Sequence, residues 1–349
     1  MTLMNAALLY APGDLRFERI PVPRPGPNEV LVKVQSALTC ATDIKTYQRG
    51  HPKMITSYPS TFGHEFSGDI VEVGADVKRF KVGMRVVCCN AVPCHECYFC
   101  KLGHHNLCED LLVLNGSYAE YIVIPERMVR YNLLELPEHM TYQEAALTEP
   151  MGTVVHGNYA ADIKAGDTVV VLGLGPLGLM HVRLAHLRGA RVIAVGKGEE
   201  RLVKARRFGA NEIVDIATVD NKVTAVRDMT EGKRGAAVVI EAVGKPEAWA
   251  DAVQMARYAG SVVFYGGCAK GTTLTVDTGL LHYGELKLIG VFHQTPQDFK
   301  RGFDLLANRV VDGRELISDT WPLDRLLDAF DRVKSLQAIK IAVDPTAMH

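Results

Sequence analysis

The chain has 349 residues, 48% hydrophobic and 23% charged, an ordinary balance for a globular protein and enough length for two domains. Its formal net charge is −1, from 39 Lys and Arg against 40 Asp and Glu, so no basic field exists to gather nucleic acid or anionic lipid. The N-terminus, Met1 to Asn5, has no basic segment followed by an apolar one, and no apolar run approaches the ~20 residues of a membrane helix. These features predict a cytoplasmic protein whose partner is a small molecule, with no nucleic acid and no membrane.

The first ~150 residues read as β-rich. Short apolar stretches at Glu29–Val34, Gly68–Val73 and Arg85–Cys88 are separated by turn residues, among them Pro21, Pro23, Pro25, Gly26 and Pro27. The pattern changes near residue 155. Thr168–Leu172 reads as a buried strand, Leu177–Arg188 as a helix, Arg191–Val195 as a strand and Glu199–Phe208 as a charged helix. Further strands follow at Glu212–Asp215, Ala236–Glu241, Ser261–Tyr265 and Leu286–Gly290. Six strands with helical crossovers predict a Rossmann-type doubly wound parallel sheet over residues 156–292. The tail is helical and ends in the strand-like Ile339–Val343, which predicts a return to the first domain. Residues 1–155 and 293–349 would then form one discontinuous domain of an α/β two-domain protein.

Between the first strand and helix of the second domain lies Gly173-Leu-Gly175-Pro176-Leu177-Gly178, a G-x-G-x-x-G. Glycines there allow a tight turn and close approach of a pyrophosphate to the helix N-terminus. The same pattern also serves ligand-free turns, but the strand before it and the helix after it supply the required context. Ligands in such sheets sit at the carboxyl ends of the strands, which adds Val243, Gly266 and Val291 to the cofactor-lining candidates. The second strand ends in Gly196-Lys197, where an acidic residue would bind the ribose hydroxyls of NAD. Glycine removes that charge, and Lys197 with Arg201 could pair with a 2′-phosphate, which favours NADP(H) over NAD(H). The alternative is a merely solvated Lys197 and NAD bound without the carboxylate.

Five of the eight cysteines fall between Cys88 and Cys100. In a chain without a secretion signal this clustering points to metal or redox chemistry and not to a disulfide framework. Cys94, Cys97, Cys100 and Cys108 are separated by two, two and seven residues. Four thiolates suit a closed, structural zinc; iron–sulfur proteins use similar spacings. Cys88, Cys89 and Cys268 read as small buried hydrophobes. A sparser set, Cys40 with Thr42, Gly63-His64-Glu65 and Glu149, offers sulfur, nitrogen and oxygen ligands and room for a substrate, as a catalytic zinc needs.

In this order, with Val92-Pro-Cys94, Cys100-Lys-Leu-Gly103, Asn106-Leu-Cys108 and Glu149-Pro150, the motifs resemble the zinc-containing medium-chain dehydrogenase/reductase family over essentially the whole chain. The likeness is greatest to its polyol (sorbitol-type) dehydrogenase branch. The resemblance implies a GroES-like catalytic domain with an inserted Rossmann domain, two zinc ions per chain and a homotetramer. It implies catalytic zinc on Cys40, His64 and Glu149, with Glu65 as an additional ligand or an outer group. It implies that Thr42 takes the hydroxyl proton, and that Lys45 stands where relatives often carry a relay histidine, with His51 as a substitute. Tyr47, His51, Tyr118 and His293 are substrate-pocket candidates, each aromatic suiting core packing at least as well.

The expected activity is reversible oxidation of a secondary alcohol in a polyol, sugar or cyclitol to the ketone, with hydride transfer to NAD(P). L-threonine dehydrogenase, zinc-independent quinone or enoyl reduction, and a non-enzymatic nucleotide sensor are the alternatives.

Overall fold

A computed structural model describes residues 2–51 and 54–348. The chain divides into two compact units, Met1–Gly152 with Gln294–His349, and Thr153–His293. Among the described residues no helix is long and apolar enough to cross a membrane.

The first unit is built mainly on antiparallel strands, with Asp319–Pro322 and Ile341–Asp344 paired in parallel. Its main sheet runs Leu133–Glu135, Arg85–Cys88, Phe66–Val73, Val30–Leu38, Ile341–Asp344 and Asp319–Pro322, with Tyr121–Ile124 also paired to Val30–Leu38. A second sheet orders Asp14–Pro21, Leu3–Ala11 and Ser60–Thr61. Val30, Val32, Val34, Phe66, Ile70, Val86, Ile124 and Val343 meet in one fully buried cluster. Their removal from water is the main force holding the unit together.

Three neighbouring strands carry the chemistry-bearing residues to one place. Ala37 pairs with Phe66, and Ala342 with Leu38. The residues just beyond those strand ends are Cys40 after Leu38, His64 and Glu65 before Phe66, and Lys340 before Ile341. Sheet register thus gathers segments from the start, the early middle and the far end of the chain.

The second unit holds six parallel strands in the order Glu212–Asp215, Arg191–Gly196, Thr168–Leu172, Ala236–Glu241, Ala256–Phe264 and Lys287–Gly290. In chain sequence that is 3-2-1-4-5-6, the dinucleotide-binding arrangement of doubly wound sheets. Val170, Leu172, Ile193, Val195, Val239 and Val262 are buried in its core. Strands covered on both faces read as continuous apolar runs, which is why their positions are visible in the sequence. Ala256–Phe264 begins five residues before the expected Ser261, since the chain leaves helix Pro246–Met255 directly into extended backbone.

Candidate active site and metal centres

In the first unit, Cys40 caps the N-terminus of helix Ala41–Arg49, its sulfur accepting from Thr42 N at 3.4 Å. This fixes Thr42 on the first turn beside the thiol. Thr42 is half-buried, and its hydroxyl has no partner among the described residues. Lys45, one turn on, is exposed.

His64 is buried, and its Nδ1 lies 2.8 Å from Asp43 Oδ1. That bond leaves Nε2 as the ligand nitrogen, the usual arrangement of a metal-binding histidine oriented by a carboxylate. Burial works to lower the His64 pKa, but the charges of Asp43 and Cys40 outweigh it, and the net shift is well upward. Asp43 is itself fully buried and lies 2.7 Å from the Tyr118 hydroxyl, which is also 2.9 Å from Leu38 O. Tyr118 is completely inaccessible, so it supports Asp43 and is not a wall of the substrate pocket. Gly63 has φ 91°, and a Cβ there would fall 2.6 Å from the Tyr118 ring, so the Gly63-His64 step requires glycine on both counts.

Glu65 is buried against Lys340, whose Nζ lies 2.5 Å from Glu65 Oε2 and donates to Thr39 O at 2.7 Å. Burial raises the Glu65 pKa, with Lys340 and His64 opposing. Burial alone would lower Lys340, and Glu65 and Cys40 more than offset it. Neither Asp43 nor Lys340 stands out in the sequence as part of a site. Asp43 follows the Cys40-Ala-Thr42 motif directly, a signal that could have been used.

Ligand atoms of Cys40, His64 and Glu65 all lie within 4.8 Å of one another, and Glu149 is not in that group. Glu149 stands at the start of helix Thr148–Ala161, buried, with its Oε1 accepting from Gln294 Nε2 at 3.1 Å. Burial first, and the neighbouring Glu65 charge, push its pKa up to about 7, with His64 opposing. Tyr47 and His51 are engaged within the fold: Tyr47 donates to Gly13 O at 3.1 Å, and His51 Nδ1 accepts from Met54 N at 3.2 Å.

The second cluster is Cys94, Cys97, Cys100 and Cys108, with all four sulfurs within 4.8 Å. Cys94 and Cys100 sulfurs are 4.0 Å apart and those of Cys97 and Cys108 3.9 Å apart. A tetrahedron with metal–sulfur bonds of ~2.3 Å has edges of about 3.8 Å, so the cradle fits one four-coordinate ion. Backbone amides of Cys94 and Cys97 point at Cys108 and Cys94 sulfurs at 3.2 and 3.3 Å, a charge-stabilising frame for thiolates. Cys88 and Cys89 are buried, and burial pushes both thiols up, away from the thiolate form. Cys268 departs from its expected core position and is half-buried in the loop after Phe264.

In the second unit, Gly173 has φ 103°, and a Cβ on Gly178 would lie 1.8 Å from Gly173 O. The glycines therefore permit the turn and the close strand–helix contact. Pro176 and Leu177 open helix Pro176–Leu187. Val243 packs on the turn, since a Cβ on Gly173 would meet its Cγ2 at 2.8 Å. The loop carrying Val243 is held by buried Glu241, whose Oε1 accepts from Val243 N and Gly244 N at 2.7 and 2.9 Å. Trp249 Nε1 donates to Gly266 O at 2.9 Å. Val291 extends the last strand, its N–H directed at Phe264 O at 3.5 Å.

A Cβ on Gly196 would fall 2.7 Å from Leu174 Cγ, so any side chain there requires Leu174 to move. Lys197 is exposed. Arg201 is buried, and its Nη1 lies 3.9 Å from where a Cβ of Gly175 would be, against the second glycine of the turn. Burial lowers its pKa, with Glu200 opposing.

The two units define a nicotinamide-dependent dehydrogenase with a metal-ligating catalytic domain. Residues 26–138 match the family of the alcohol dehydrogenase GroES-like domain, and 176–308 match the zinc-binding dehydrogenase family. D-arabitol-phosphate dehydrogenase of Enterococcus avium is 34% identical, over 98% of this chain and 97% of its own length. Sorbitol dehydrogenase of Bacillus subtilis (strain 168) is 30% identical, with the same shares. A Sinorhizobium meliloti 1021 protein designated a zinc-binding dehydrogenase, solved bound to NADP, superposes with a TM-score of 0.91 at 30% identity. It covers 99% of this chain, which in turn covers 100% of it. The chain belongs to the zinc-containing medium-chain dehydrogenase family, in its polyol dehydrogenase branch, and is an alcohol dehydrogenase.

Proposed function

We propose that the protein oxidises a secondary alcohol of a polyol, sugar or cyclitol to a ketone, reversibly, with NADP(H) as the preferred hydride partner. The observation that carries the reading is the meeting of half-buried Cys40 with buried His64 and Glu65, the Cys40 sulfur accepting from the backbone N of Thr42. This donor set fits a catalytic zinc, and the buried Glu149 carboxylate is close enough for its charge to act on His64 and Glu65. Zinc bound there supplies Lewis acidity, making an alcohol oxygen easier to deprotonate and a ketone easier to reduce.

The chain's own residues then have defined tasks. Asp43 fixes the ring of His64 so that Nε2 faces the ligand group. Lys340 balances the buried charge of Glu65. Thr42 accepts the hydroxyl proton of the alcohol and passes it outward, to exposed Lys45 or, in its place, half-buried His51. Glu149 presents a carboxylate to neighbouring hydroxyls, which suits a polyhydroxylated substrate. In the second unit the Gly173–Gly178 turn would hold the pyrophosphate of a dinucleotide, and Val243, Gly266 and Val291 would line its site at the carboxyl ends of the strands. Gly196, Lys197 and Arg201 favour the extra phosphate of NADP, since they remove an acid and offer two cations.

Cys94, Cys97, Cys100 and Cys108 would hold a second, structural zinc, with no open position for chemistry. Eight free cysteines suit a reducing compartment, the cytoplasm. By family likeness the assembly is a homotetramer, which sedimentation would measure.

The test is purified protein assayed with polyols, their phosphates and L-threonine, each with NADP and NAD, alongside elemental analysis. Two zinc ions per chain and polyol turnover with the higher kcat/KM for NADP support the proposal. Threonine turnover far above that of polyols would replace it with the amino-alcohol reaction. Metal at the four-cysteine site alone would replace it with zinc-independent reduction.

A further inference from the structure

Gln294 follows His293, the residue singled out in the sequence, and has no assigned role. It is 4% exposed, and its Nε2 lies 3.1 Å from both Glu149 Oε1 and Glu149 O. One amide group therefore grips the side chain and the main chain of the same residue. The Glu149 carboxylate has no other hydrogen-bond or ion-pair partner among the described residues. A buried carboxylate needs such a donor, because an unsatisfied one is costly in an apolar setting.

The helix is shaped to receive this amide. Glu149 and Gly152 are three residues apart and share one face of helix Thr148–Ala161. A Cβ on Gly152 would lie 1.7 Å from Gln294 Oε1 and 2.9 Å from Phe299 Cα. No side chain fits there while Gln294 holds its place. Gln294 itself precedes Thr295, which caps helix Pro296–Ala307 through a capping box with Asp298, so its backbone is anchored.

We propose that Gln294 is a positioning residue for Glu149: its amide keeps the carboxylate out of the metal's ligand set and presents the second oxygen to substrate hydroxyls. Cys40, His64 and Glu65 form the compact ligand group, and Glu149 stands outside it with one oxygen committed. A carboxylate held by a neutral amide keeps its acceptor character for a polyol. A freed carboxylate beside a divalent cation would bind the cation instead, since oxygen donors are ordinary zinc ligands. The inference rests on the metal reading above.

The experiment replaces zinc with cobalt(II) and records difference spectra, in which the unchanged four-cysteine site cancels. Glu149→Gln should leave the cobalt spectrum of the catalytic site as in the parent. Gln294→Met, close in volume, should shift that spectrum as Glu149 joins the cation, and the shift should vanish in the Gln294→Met/Glu149→Gln double variant. Polyol KM should rise about tenfold in Gln294→Met, roughly the loss of one oriented hydrogen bond. Gln294→Asn, a shorter amide, serves as a second variant should the first not fold, and should give the same shift. A spectrum unchanged by either substitution at Gln294, or one already altered by Glu149→Gln alone, would overturn the proposal. If the parent takes cobalt only at the four-cysteine site, the metal reading itself fails, and that result is distinct from an unchanged spectrum.

Discussion

Asp43 holds His64 from behind: Oδ1 and Nδ1 are 2.8 Å apart, and both side chains are buried. The carboxylate fixes the tautomer and aims the other nitrogen at Cys40 and Glu65. Asp43→Asn keeps the volume and removes the charge. Loss of such an outer partner reduces metal affinity or activity by roughly 10- to 100-fold. Competition with a chromophoric chelator should show faster loss of one zinc per chain, with the four-cysteine zinc retained. Equal retention in the variant would remove Asp43 from the metal's support.

The buried pair of Lys340 and Glu65 predicts a strong asymmetry. Lys340→Met leaves a buried carboxylate without its cation, a change that costs about 3–5 kcal/mol where one partner of a buried pair is lost. The double variant Lys340→Met/Glu65→Gln removes both charges and should recover most of that loss in urea denaturation. Additive losses in the double variant would show that the two side chains do not act as a pair.

Cofactor choice should follow Lys197. Lys197→Ala is expected to raise the KM for NADP about tenfold or more, the worth of one charge-assisted hydrogen bond, and leave the KM for NAD nearly unchanged. Gly196→Asp alone should impair both cofactors, because its Cβ would meet Leu174 at 2.7 Å. Combined with Leu174→Ala, it should bind NAD in preference to NADP. Equal effects of Lys197→Ala on both cofactors would place the phosphate elsewhere.

His181 supplies a pH test in the second unit. It is fully buried, its Nδ1 faces Asn158 Nδ2 at 2.7 Å, and burial lowers its pKa to about 3. The folded state therefore keeps it neutral where the unfolded chain, near 6.5, is protonated. Its stabilising contribution is complete above pH 6.5 and is lost as pH falls from there towards 3. Each pH unit in that window can remove up to ~1.4 kcal/mol. The thermal midpoint of His181→Leu should fall less steeply between pH 6.5 and 5 than that of the parent. Parallel curves would rule out His181 as a source of the acid sensitivity.

Much of the molecule was legible in one dimension. The strands of the doubly wound sheet announce themselves as apolar runs, and the Gly173–Gly178 turn is a local device whose strand and helix neighbours are also local. The four cysteines, too, lie within fifteen consecutive positions and close on one another with little help from the rest of the chain. Other residues misled or stayed silent. Tyr118 reads equally as a pocket aromatic or as core, and the fold takes the second course, burying it as a prop for Asp43. Lys340, one charge near the end of a long chain, carries no motif at all, and Gln294 was passed over for its neighbour His293.

The sequence by itself determined the fold class, the dinucleotide turn, the four-cysteine cradle and the candidates Cys40, Thr42, His64, Glu65 and Glu149, because short-range spacing and hydrophobic period encode them. Only the tertiary structure decided which of those candidates meet. The register of three adjacent strand ends joined Cys40, His64, Glu65 and Lys340, and the fold brought the Gln294 amide, 145 residues away, onto the side chain and main chain of Glu149. Contacts between distant segments depend on strand pairing and packing, and no local pattern in the chain records them.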